Sequence, residues 1–114
     1  MTAQHAGLSP ERWREFAFSR RVVMIANELH RASKWRGGED AARRTAALER
    51  ALALTDLTIA VEPRSGALKE LLRFRDCLAE VYLGLPSAAS DRVLLRVLLR
   101  FDVEASRQIP FVAA

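Results

Sequence analysis

The chain has 114 residues, half of them hydrophobic, with a single cysteine and a formal net charge of +4. That length suits one domain with a core of its own, and one cysteine excludes an internal disulfide framework. No stretch is apolar enough to read as a transmembrane helix or a signal-peptide core, so the expectation is a cytoplasmic protein with no membrane partner.

Four segments carry a helical hydrophobic period, each between its own start and stop residues. Ser9-Pro10 places a side-chain acceptor at an N-cap and proline at the first helical position, and predicts a helix from about Pro10 to Trp35. Gly37-Gly38 then lets the chain reverse. Glu39-Asp40 supplies acid at the start of a second helix, about Asp40 to Glu62, which Pro63 ends. A third helix opens at Ser65 or Gly66 and runs to Leu83, where Gly84 fits a left-handed C-terminal position. Ser87 or Ser90 caps a fourth, about 90–108, ending before Pro110.

Apolar residues recur at steps of three and four inside these bounds. The stripes are Phe18, Val22, Ile25, Ala26, Leu29 and Ala32 in the first helix, and Ala41, Thr45, Leu48, Leu52, Thr55 and Ile59 in the second. The third carries Leu68, Leu71, Leu72, Leu78, Ala79 and Tyr82; the fourth, Leu94, Leu98, Phe101 and Ala105. No segment alternates with the period of a strand. With short connections, the expected architecture is all-α, a single-domain antiparallel four-helix bundle. In this layout the chain resembles bacterial export chaperones of the flagellin type; the resemblance covers architecture and carries over no functional residue.

Charge is unevenly distributed. Sixteen of the eighteen basic residues are arginine, a bias that a GC-rich genome also produces. Residues 9–36 hold seven basic against three acidic side chains, whereas 39–62 hold three against five. In the fourth helix Arg92, Arg96 and Arg100 are four apart and Arg107 returns to the same side, a basic stripe able to track phosphates. An outward bundle face is polar in any case, and neither aromatic interleaving nor a DNA-binding motif accompanies the stripe. Nucleic acid is therefore the second-ranked partner.

Polar residues also break the apolar faces. Arg14, Arg21 and Glu28 recur at intervals of seven, and Arg75 interrupts the series Leu68, Leu72, Ala79, Tyr82. A half-buried guanidinium needs a carboxylate, so Arg21, Glu28 and Arg75 form a candidate inward ion pair, with Glu28 as the acid for either arginine.

Catalytic and metal-binding signatures are absent. His30 has no histidine companion beyond His5 and reads as a surface residue, while Cys77 reads as a small apolar residue. Neither Glu-x-x-His, His-Glu-x-x-His nor Cys-x-x-Cys occurs, and Gly37-Gly38 fits no phosphate loop. The expectation is a non-enzymatic protein without cofactor or metal.

The first predicted helix carries an apolar arc wider than one packing stripe, with Trp13 and Phe16 near one end and Trp35 at the other. Tryptophan and arginine are enriched at binding hot spots. The candidate protein interface is accordingly Trp13, Phe18, Val22, Ile25, Leu29 and Trp35. The expected function is a protein-interaction module that self-associates as a homo-oligomer or binds a partner helix there.

Overall fold

The computed structural model describes residues 8–35 and 38–101, which form five α-helices and one short 3-10 turn. The helices are α1 (Pro10–Arg14), α2 (Phe18–Lys34), α3 (Ala41–Val61), α4 (Ser65–Leu83) and α5 (Asp91–Leu99). No strand occurs among the described residues, and no helix there is long and apolar enough to cross a membrane. The 3-10 turn, Gly38–Asp40, leads into α3. Helix α2 packs on α3 and α5, α3 on α4 and α1, and α4 on α5.

The helix ends follow local chemistry closely. Ser9 accepts the Arg12 amide at 3.2 Å, and Ser90 accepts the Val93 amide at 3.2 Å. Gly84 has φ 70° and closes α4, with the Leu85 amide donating back to the Glu80 carbonyl at 3.1 Å. The expected fourth helix is described only to Leu99; its remainder lies outside the described residues.

The expected first helix is two helices. Unbroken, residues 10–35 would span about 39 Å, well beyond the roughly 31 Å of α3 against which they would lie. The chain instead turns at Glu15–Ala17, where Ala17 is extended (φ -60°, ψ 152°). Trp13 drops into the core with no solvent exposure, and its indole Nε1 donates to Thr58 Oγ1 at 2.9 Å. Phe16 meets the Trp13 ring edge-on, with centroids 5.5 Å apart.

At the turn the Trp13 carbonyl accepts the Phe16 amide at 3.2 Å, and Arg21 adds donors to it and to the Arg14 and Phe16 carbonyls. Its Nε donates to the Trp13 and Phe16 carbonyls at 3.2 and 3.0 Å, and its Nη2 to the Arg14 carbonyl at 3.2 Å. One planar guanidinium thus collects three backbone acceptors from the break.

The apolar arc of the expected first helix is consumed by this arrangement. Val22, Ile25 and Leu29 are buried at 0–2% exposure in one cluster with Trp13, Leu48, Ala51, Leu94 and Leu98, while Phe18 and Trp35 pack against its edge. Burying three such side chains contributes about 5 to 9 kcal/mol, comparable to a whole domain's net stability. The arc is the protein's own core rather than a free interface.

Two further stripes differ in phase from expectation. Ala41 and Thr45 are exposed at the start of α3. Helix α4 buries Leu71, Phe74, Leu78 and Val81, leaving Leu72 and Tyr82 exposed. The two possible α4 series lie about 100° apart around the helix. The one through Phe74 excludes every charge, whereas the expected one would have carried Arg75 inward.

Arg21→Lys keeps the charge but replaces a planar fork with a single point donor. It should destabilise the chain by about 1 to 2 kcal/mol in urea unfolding, since carbonyls at the break lose their donors. A change below about 0.5 kcal/mol, typical of a neutral surface substitution, would show that the break does not need the guanidinium.

Candidate functional site

Four charged side chains are buried among the described residues: Arg21, Glu28, Glu62 and Asp91. Arg21, Glu28 and Arg75 were expected to pair, and they do not. Glu28 instead accepts from Arg31 Nη1 and Arg50 Nε, both at 2.7 Å. Arg75 donates to Asp56 at 2.8 Å in a half-exposed surface pair between α4 and α3, and that contact raises its pKa. Arg21 spends its hydrogens on the carbonyls of the helix break.

Glu62 is the acid that answers Arg21 electrostatically. It accepts the Arg64 amide at 3.0 Å and Arg64 Nε at 2.8 Å, while the Arg64 guanidinium lies 4.7 Å from the centre of the Phe18 ring. The Arg64 hydrogen bond, opposed by burial and aided by the Arg21 charge, holds the Glu62 pKa below its ordinary value. Burial lowers the Arg21 pKa, and Glu62 counteracts that shift.

Asp91 completes the set. Arg44 grips it with two nitrogens at 2.8 and 3.0 Å and donates from Nη1 to the Ala32 carbonyl at 2.7 Å. A single α3 side chain therefore ties the end of α2 to the start of α5. Asp91 also places negative charge at the positive end of the α5 dipole. The Asp91 hydrogen bond raises the Arg44 pKa against the opposing effect of burial.

Each buried carboxylate among the described residues is held by arginine. Among the described residues, no three His, Cys, Asp or Glu side chains group so as to hold a metal ion. His30 is half-buried with its Nδ1 unpartnered, and Ser33 Oγ donates to the His30 carbonyl at 2.6 Å. Cys77 is half-buried against the core.

The remaining candidate is the outer side of α5. Asp91, Leu94, Leu95, Leu98 and Leu99 face inward and cover an arc of about 140°, given about 100° per residue. The opposite arc, equally wide, carries Arg92, Arg96 and Arg100 along one edge and Val93 and Val97 along the other. All five are exposed, the valines at 49% and 42%. Arg107 lies outside the described residues. Five of the six large hydrophobic residues exposed among the described residues fall between positions 82 and 97: Tyr82, Leu83, Leu85, Val93 and Val97.

The basic row was legible in the sequence, but the valines beside it were missed. A second apolar pair at i,i+4, out of phase with the Leu94–Leu98 stripe, was the available signal.

Comparisons with protein-family models, curated proteins and solved structures found no match for this chain. The likeness to export chaperones therefore rests on helical layout alone.

Two expectations follow from the charge clusters. In double-mutant cycles, Glu28→Ala with Arg50→Ala should couple by about 0.5 to 3 kcal/mol, while Glu28→Ala with Arg75→Ala should be additive within about 0.5 kcal/mol. Coupling to Arg75 would contradict the partners described. For Glu62, a depressed folded-state pKa stabilises the fold above the ordinary carboxylate range, and that contribution disappears as pH falls through the folded value. Urea midpoints measured on acidification should thus fall less steeply for Glu62→Gln than for the parent chain. Equal slopes would show that Glu62 gains nothing from Arg64.

Proposed function

We propose that this chain is a non-enzymatic protein-interaction module whose docking surface is the outer arc of α5. The observation that supports the reading is the composition of that arc: two valines one turn apart, well exposed, beside a row of three arginines. An apolar strip with a charged edge is the anatomy of a small protein-protein contact. Arginine is also the basic residue most enriched at such contacts. The scaffold beneath it is a bundle of α2 to α5, with α1 folded onto α3 as a clasp.

A partner docking on α2 would have to displace the chain's own core, as the energetics of Val22, Ile25 and Leu29 require. Helix α5 asks for no such rearrangement. Its inner side is anchored by four leucines and by Asp91 on Arg44, so a rigid helix face is presented to solvent.

A photo-crosslinking amino acid placed at Val97, compared with one at exposed Glu39, tests the reading in the native cell. A discrete protein adduct, resistant to nuclease and specific to position 97, is the expected result. Adducts that vanish on nuclease treatment, or that form equally at position 39, would overturn it.

A further inference from the structure

Helix α4 carries a second apolar strip that the core does not use. We infer that a second copy of this chain covers it, the two α4 helices packing antiparallel about a two-fold axis. At about 100° per residue, Leu68, Leu72, Ala79 and Leu83 fall within an arc of about 60°, beside the buried row of Leu71, Phe74, Leu78 and Val81. Among the described residues Leu72 and Leu83 are 46% and 67% exposed, and Leu68 and Ala79 are half-buried. Arg75 and Tyr82 border the strip on one side, where they reach across to Asp56 and Glu49 of α3. Lys69, Arg73, Asp76 and Glu80 border it on the other, within a second arc of about 60°.

The order of the side chains carries the inference, because a two-fold contact requires a surface complementary to itself. About the midpoint between Arg75 and Asp76, Leu68 mirrors Leu83 and Leu72 mirrors Ala79. An antiparallel pair with its axis there sets leucine on leucine at both ends of the strip. Between them Leu72 covers the small Ala79 of the other copy. The charged edge is polarised in the same sense. Lys69 and Arg73 occupy its first half and Asp76 and Glu80 its second, so antiparallel packing brings the bases of each copy beside the acids of the other. These charges miss their mirror positions by about two residues, or about 3 Å along the axis, which long side chains span. Arg73 already holds Glu70 at 2.9 Å in an exposed pair, and a guanidinium has donors for a second carboxylate.

Other arrangements fit less well. Parallel pairing of the same helices would set bases on bases and acids on acids. A uniformly acidic or basic partner meets like charge along half of the edge, and Asp76 and Glu80 repel a phosphate backbone. The strip is about 22 Å long and opposes one helix to one helix, at the small end of specific interfaces, so the dimer has micromolar rather than nanomolar strength. It is a contact separate from the α5 docking surface.

Sedimentation equilibrium of the full chain from about 5 μM to about 1 mM tests this contact, and the apparent mass should rise from one chain to two across that range. Leu72→Glu puts a charge in the apolar strip and should weaken dimerisation at least about tenfold, with an unchanged thermal melt because Leu72 lies outside the core. Lys69→Glu with Arg73→Glu makes the edge wholly acidic, and Asp76→Lys with Glu80→Lys makes it wholly basic. Each of these variants alone should dimerise at least about tenfold more weakly than the parent chain, while an equimolar mixture of the two should regain the parent's affinity. Misfolding cannot imitate recovery on mixing.

A parent chain that stays monomeric at about 1 mM would overturn the α4 contact, as would a dimer insensitive to Leu72→Glu. Loss in both charge variants without recovery in their mixture would overturn the antiparallel arrangement. Any of these failures leaves the Val97 crosslink, and with it the α5 docking surface, to stand or fall separately.

Discussion

One guanidinium pressed against three carbonyls is the constraint on which the rest of this molecule depends. Arg21 lets the chain leave α1 and enter α2 without leaving backbone acceptors stranded. Trp13, fixed to Thr58 on α3, sets the direction of the turn. Together they present the apolar arc of α2 to α3 and α5. The side chains that look most suited to a partner in the linear sequence are therefore spent inside, and the surface left for interaction is at the other end of the chain.

Arginine abundance takes on a structural meaning in this setting. Glu28, Glu62 and Asp91 are each buried, and each is met by arginine: Arg31 and Arg50, Arg64, and Arg44. Arg31 and Arg64 are more than half exposed, so those two pairs sit at the core boundary with one partner in water, whereas Arg44 and Arg50 are largely covered. Such pairs avoid the full desolvation of two charges while still satisfying the acid. Much of the basic excess is thus matched to acids on neighbouring elements. On the outer arc of α5, three arginines share a face with two exposed valines.

What could be read from the sequence follows a physical division between local and tertiary causes. Ser9, Pro63, Gly84 and Ser90 act on their own backbone, and the helix ends they mark lie where local chemistry puts them. Residues Glu15 to Ala17 contain neither glycine nor proline, so the break there depends on Trp13 and Arg21 finding their partners across space. The α4 register failed for a related reason: leucines occupy two adjacent faces, and Phe74 decides between them only through its packing. For the charged residues, the seven-residue spacing put Arg14, Arg21 and Glu28 on one partly inward side, and the structure buries Arg21 and Glu28 while Arg14 is exposed. Their partners come from other elements, or in Arg21's case from the backbone, and spacing within one helix does not encode them.

The functional reading stands on the first apolar arc being internal, packed on α3 and α5 behind a break between α1 and α2. Backbone 13Cα chemical shifts across residues 10–34 measure this directly, because they report helical or extended conformation residue by residue. The account predicts helical values for Pro10–Arg14 and Phe18–Lys34, separated by an extended value at Ala17. Unbroken helical shifts from residue 10 to residue 34 would contradict it.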